Sequence, residues 1–314
     1  MWKYILRRII LLIPVLLGVT LIIFTLLYLT PGDPARIILG DDADEAAVQS
    51  LRDELGLNDP YVVQLGRYIR NVFTRLDFGV SYITGRPVSA EILGRYPTTI
   101  TLASLSITVA VLIAIPLGIF AAIYQNTWID DISRIISLIG VSMPNFWQGL
   151  LMILFFSVYL GWLPASGFST PKQWVLPALT IGTSTAASIM RTTRSSMLEV
   201  IRQDYIRTAR AKGATEFTVI WKHAFKNAII PVLTIVGIRF GGALGGAIVS
   251  EQVFAVPGLG KLMVDSIKSR NYPVVQGGVL LIALAYGVIT LVVDILYAYA
   301  DPRIKSKYST GKSR

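Results

Sequence analysis

The sequence predicts an all-α polytopic membrane protein with six transmembrane helices, on three observations. Of 314 residues, 53% are hydrophobic and only 15% are charged, where a soluble domain carries roughly a quarter. Mean hydropathy is +0.60. The charge deficit is concentrated in uncharged stretches near the ~20 residues that a helix needs to cross a bilayer. Basic residues, finally, gather beside one set of span ends.

The first span is residues 9–29. Its apolar run exceeds the roughly 7–15 residues of a signal-peptide core, and "YLTPGDP" offers no small-x-small cleavage site, so it reads as an anchor. The second and third spans are residues 98–124 and 135–160. The fourth, 174–190, is weaker and rich in small residues. The fifth and sixth are 228–250 and 279–300. With the N-terminus inside, the inner segments hold Lys3, Arg7 and Arg8, then Arg134, the basic run of 191–226, and the basic tail 302–314. Acids are fewer there, whereas the outer loops carry both signs in near balance. This positive-inside pattern places both termini in the cytoplasm. Topology thus accounts for most of the net charge of +10 and displaces a nucleic-acid reading. Cysteine is absent, which removes disulfide and thiol chemistry.

The expected organisation is a tail and first span over 1–30, an extracytoplasmic loop over 31–97, a core over 98–301, and the tail. In "DEAAVQSLRDELGLNDP", Val48, Leu51 and Leu55 recur at helical spacing and Gly56 suits a C-cap. A second helix starts at "NDPYVVQLGRYIRNVF", with Asp59 as N-cap and Pro60 first in the helix. Its expected apolar face is Val62, Leu65, Ile69 and Phe73. Two readings of this loop stand: a small lid on the span ends, or a docking surface for something outside.

Pro14, Pro116 and Pro144 interrupt the first three spans, where proline removes a backbone bond and kinks a helix. Gly237, Gly241, Gly242, Gly245 and Gly246 give the fifth span small-xxx-small spacings for close helix approach. "GTSTAAS" at 182–188 does the same for the fourth. No internal repeat is evident, which argues against a carrier built from two related halves.

Enzymatic motifs are missing. One histidine, His223, and no cysteine leave no His/Cys metal cluster. The Gly-Lys-Ser triplet at 311–313 resembles the end of a Walker A loop. That motif needs a glycine where Ser306 stands, and a following helix. No catalytic, cofactor or metal residue is expected. Two charges fall inside spans, Arg239 in the fifth and Asp294 in the sixth. Each needs a partner or an aqueous path, at a cost of at least ~2.5–3.5 kcal/mol on insertion scales. Their depths differ by about 7 Å at ~1.5 Å rise per residue. They either pair, or Arg239 lines a translocation path. The second reading extends to an ATP-independent channel or proton-coupled carrier.

Between the fourth and fifth spans, "DYIRTARAKG" predicts a short helix with Asp204 as N-cap and Gly213 as stop. A second helix fits "TEFTVIWKHAFKNA", with Phe217, Ile220, Trp221 and Ala224 on one face. Basic residues alone would suit a loop lying on anionic lipid. Thr208, Ala209 and Ala211 instead make a slim helix suited to a cleft, where a lipid-surface helix wants bulkier apolar residues.

The stretch "DYIRTARAKGATEFTVIWKHAFKNAIIP" resembles the cytoplasmic coupling loop of ABC importer permeases, most closely the dipeptide/oligopeptide/nickel branch. "LRRIILLIPVLLGVTLIIFTLLYLTPGDP", "RTTRSSMLEV", and "EQVFAVPGLGKLMVDSIKSRNYPVVQGGVLL" with "VDILYAYADPRI" resemble the same branch in the same order. The general motif has Glu-Ala-Ala, three residues, then glycine. Here Arg207, Thr208 and Ala209 hold those places ahead of Gly213, and Pro231 falls later than the motif's proline, deviations that look like the peptide branch. The resemblance implies a type I importer permease whose coupling loop is 191–227. It implies an ATPase-contacting segment of Asp204, Tyr205, Arg207, Thr208, Ala209, Arg210, Ala211, Lys212, Gly213 and Ala214. The implied partners are a second permease, two ATPase subunits that use ATP and Mg, and an extracytoplasmic substrate-binding protein. The implied cargo is short peptides, with nickel chelates, glutathione and oligosaccharides carried by relatives.

Overall fold

The computed structural model describes residues 2–40 and 42–300, which are predominantly helical. The tail over 302–314, with its Gly-Lys-Ser triplet, lies outside the described residues. In chain order the helices are α1 (Trp2–Leu29), α2 (Pro34–Leu39), α3 (Glu45–Leu55), α4 (Tyr61–Arg75), α5 (Val88–Ile123), α6 (Trp128–Ser142) and α7 (Asn145–Met152). A π-helical segment, Ile153–Tyr159, continues α7. Then come α8 (Pro171–Ile201), α9 (Asp204–Ala211) and α10 (Glu216–Thr218), the last running through a π-helical Val219–Phe225 into α11 (Lys226–Val253). The final two are α12 (Leu259–Lys268) and α13 (Tyr272–Ala300). Among the described residues the one β feature is an isolated bridge between Val80 and Pro87.

Four helical stretches are long and apolar enough to cross a membrane: Ile5–Leu29, Val88–Ile123, Glu216–Gly245 and Tyr272–Leu296. A fifth is a broken pair, Trp128–Ser142 with Asn145–Tyr159, bent by 104°. The break follows from Pro144. Its ring drives the preceding residue out of the helical region, and Met143 is extended at φ −83°, ψ 125°. The second span starts earlier than its sequence suggests, because Pro97 lies inside α5 rather than ending the loop. The expected fourth span lies in α8, which has the length but not the apolarity of the others. Its polar character is internally satisfied. Thr180, Thr183 and Thr193 donate to the carbonyls of Leu176, Leu179 and Ile189 at 2.7–2.8 Å.

Contacts divide the chain into two units. Among the described residues the first comprises 2–6, 100–256 and 286–300. Within it α8 is wrapped by protein, burying thirteen of its residues. Ala110 and Ala114 of α5 pack with Ala186, Ile189 and Met190 of α8 and Val232 of α11. Glycines bring these backbones close. A Cβ on Gly118 would sit 2.8 Å from the Met190 carbonyl oxygen, and one on Gly182 would sit 2.9 Å from that of Ser106. On α11, a Cβ at Gly237 or Gly241 would run into Val293 or Tyr286 of α13, whereas Gly242 and Gly245 face open space.

The second unit comprises Arg7–Thr99 and Pro257–Ala285. Asn271 organises it, donating to Ser81 Oγ at 2.8 Å and accepting from the Tyr82 amide at 3.0 Å. The Leu259 amide donates to Thr99 Oγ1 at 2.8 Å. Helix α3 ends as expected, on Gly56 at φ 65°. Helix α4 forms but differs in two respects. Pro60 is its N-cap, and Asp59 instead pairs with Arg67. Its inward face is also rotated: Val62 is 74% exposed while Val72 is buried. The rings of Tyr61 and Tyr68 meet Phe24 of α1 at 5.8 and 5.7 Å between centroids. Aromatic rings bury more surface than valine and win the inner face.

Candidate functional site

The segment joining α8 to α11 is built around one aliphatic side chain. Ile206, fully buried, inserts from α9 among Ile119 and Ala122 of α5, Met197 of α8, and Val219, Ile220, Ala224 and Ala228. Apart from Tyr205, which is 43% exposed, the rest of α9 is polar or small. Asp204, Arg207, Thr208, Ala211 and Lys212 are exposed, and Ala209 and Ala214 are half-buried against the anchor.

Two polar ties fasten the back of α9. Asn227 Nδ2 donates to Tyr205 Oη at 2.9 Å. Arg210 forks onto Glu216, Nε to Oε1 at 2.7 Å and Nη2 to Oε2 at 3.2 Å. The fork spans the turn at Gly213, whose φ of 82° is a conformation open to glycine at little cost. Gly213 is therefore the stop that its position predicts. Asp204 is not the cap: Gln203 holds that place, and Asp204 is the first helical residue. Beyond the turn, Thr215 caps the next helix by accepting from the Thr218 amide at 3.4 Å. Ile220 and Ala224 are buried as expected, but Phe217 is 74% exposed and Trp221 39%. The π-helical turn explains the difference. It changes the register by which Val219, rather than Phe217, reaches the core.

Just before this segment, α8 is tied to the start of α6. Asp130, wholly buried, accepts from Arg194 Nε and Nη2, each at 2.7 Å, from Arg134 Nη2 at 2.7 Å, and from the Asn126 amide at 3.1 Å. A buried carboxylate requires such saturation. The arrangement therefore ties the start of α6 to the last turns of α8, the helix whose Met197 packs on Ile206.

The two intramembrane charges are placed apart from this site. Arg239 is exposed on α11, and Asp294 is half-buried on α13. Among the described residues no ion pair joins the one to the other. No group of three or more metal-ligating side chains occurs among the described residues either. Sequence reasoning missed Ile206, Asn227 and the Asp130–Arg194 pair. Only Ile206 carried a signal, as the lone large aliphatic residue of "DYIRTARAKG".

Comparison with known proteins bears on what such a segment serves. The family described as the inner membrane component of binding-protein-dependent transport systems matches residues 114–306, and the N-terminal region of such components matches 1–103. The dipeptide transport system permease protein of Alkalihalophilus pseudofirmus is 44% identical, over 97% of this chain and all of that protein. The glutathione transport system permease protein of Salmonella paratyphi A is 46% identical, over 98% of this chain and all of that protein. Among solved structures, an inward-facing methionine ABC transporter shares the fold at a TM-score of 0.54 and 21% identity, covering 67% of this chain and 96% of its own. Matched along nearly its whole length, the chain belongs to the inner-membrane components of binding-protein-dependent transport systems, the permease subunits of ABC importers.

Proposed function

We propose that this permease forms half of the pathway for short peptides and takes its drive from an ATPase that receives α9 in a surface cleft. The observation that carries the reading is the shape of α9. Thr208, Ala211 and Lys212 form a narrow outer face, while Ile206, the Tyr205–Asn227 bond and the Arg210–Glu216 fork fix its back. A helix held this way moves with the start of α11 as one body, and rigid elements with two packings convert small shifts into large ones.

In the full reading a second permease supplies the other half of the pathway. Two ATPases bind and hydrolyse ATP with Mg at the inner face, where both termini lie. An external binding protein delivers cargo to the side that carries the 31–97 loop. Helix α8 is the remaining span, its buried hydroxyls bonded to its own backbone within the protein that surrounds it. The peptide class rests on relatives named for dipeptide and glutathione transport. Family membership leaves a stand-alone carrier using Arg239 and Asp294 without support.

The test is Ala211→Trp. The position is exposed, so the chain keeps its thermal stability, while the indole fills the space that a cleft would need. Co-purification should lose the ATPases and uptake should fall at least tenfold. Full retention of both would sink the coupling reading.

A further inference from the structure

The second unit carries a half-open cavity of about 760 Å³, within the roughly 300–1,000 Å³ of small-molecule pockets. Three polar atoms on its lining residues are buried without a hydrogen-bond partner: Tyr68 Oη, Asn71 Oδ1 and Tyr272 Oη. Folded proteins leave few such atoms unmet, and among the described residues these three sit just behind the surface of one space, on residues that line it. Tyr68 and Asn71 lie three residues apart on α4 and share a face. Tyr272 opens α13.

The chemistry of the lining narrows what fits. Asn71 Oδ1 accepts and calls for a donor, while the two phenols donate or accept. Burial pushes the Tyr68 phenol up and holds Tyr82 at about 12, so both stay neutral near pH 7. Phe24, Tyr28 and Phe78 add aromatic surface, which attracts ammonium groups. Arg52 is engaged with Asp33 at 3.3 Å, and Arg67 with Asp59. Glu54 and Asp77 also line the cavity, and neither forms an ion pair among the described residues. The net character is acidic and aromatic, with unmet amide and hydroxyl groups.

We propose that this cavity is a binding pocket for the amino-terminal end of a short peptide, its ammonium facing the carboxylates and rings and its first peptide units meeting Tyr68, Asn71 and Tyr272. The pocket lies in a unit separate from α9. Only the choice of peptide as ligand rests on the function proposed above.

The experiment titrates the assembled transporter in lipid nanodiscs, without ATP or binding protein, using trialanine and N-acetyl-trialanine. Trialanine should bind saturably and the acetylated form at least tenfold more weakly. Tyr68→Phe and Asn71→Leu should each weaken trialanine about five- to tenfold, the scale of one lost hydrogen bond. Tyr68→Phe should leave the thermal stability of the empty protein unchanged or raised, because it deletes an unmet hydroxyl. A merely structural hydroxyl would give the opposite, lower stability with unchanged affinity. Equal binding of the two peptides, binding that ignores both variants, or no binding would each overturn the proposal, the last leaving a water-filled cavity. ATPase co-purification is read separately, so failure of the coupling reading is told apart from failure of the pocket.

Discussion

Helices α5 and α8 meet through glycine, whereas α1 and α4 meet through rings. On the first seam Gly118 and Gly182 let one backbone approach the other to van der Waals contact. On the second, Phe24 and Tyr28 hold Tyr61 and Tyr68 at centroid distances of 5.1–5.8 Å, and space is left over beside them. Lipid gives helices no hydrophobic reason to associate, so seams among spans depend on close packing. The glycine seam suits a body that transmits motion without yielding. The ring seam tolerates a cavity because large flat side chains keep their helices apart.

The largest expected effect comes from breaking the glycine seam. In Gly118→Leu even the first side-chain carbon lies 2.7 Å from Thr193 Cβ and 2.8 Å from a backbone oxygen, so the helices must separate. A cost of about 3 kcal/mol is expected, read as a fall of several degrees in thermal unfolding of the purified protein. An unchanged midpoint would mean that the seam is looser than its geometry. On the ring seam, Tyr61→Ala removes edge contacts to Phe24 and Tyr28 and the 2.7 Å hydroxyl contact with Thr25. With ring pairs at about 0.5–1.5 kcal/mol each, the expected loss is about 2 kcal/mol by the same measurement. A loss larger than that of Gly118→Leu would reverse the ranking of the two seams.

These seams also mark what a sequence discloses. Gly213, Gly56 and Pro144 are legible because their backbone consequences are local, whereas Pro97 lies inside α5 and Pro60 at the N-cap of α4, neither where the sequence puts it. Gly213 ends α9, Gly56 ends α3, and Pro144 breaks a span, each where its neighbours say it should. The inward face of α4 was not legible. Val62 counts as apolar and Tyr68 as half polar, yet the ring carries the larger buried surface. Helix α8 read weakly for a different reason. Protein surrounds it, so it has no need of the apolarity that lipid imposes. Within the coupling segment, Ile206 stands alone and a single residue makes no period. The Asp130–Arg194 pair joins positions 64 residues apart, a proximity that only the fold creates.

The smallest effect sharpens the comparison from the open side. Gly66 lies on α4 in ordinary helical backbone, and a methyl group added there would meet nothing within 4 Å. Gly66→Ala therefore adds no clash and removes backbone freedom from the unfolded chain. A gain of up to about 1 kcal/mol follows from helix propensity, against a loss for the same methyl at Gly182, where Val109 and a carbonyl oxygen stand within 3 Å. Thermal unfolding of the two alanine variants side by side measures the difference directly. Opposite signs would show that one chain uses the same residue for two purposes, contact at the α5–α8 seam and mere tolerance on α4. A loss at both would mean that the outer face of α4, with Val62 beside Gly66, is less open than its geometry.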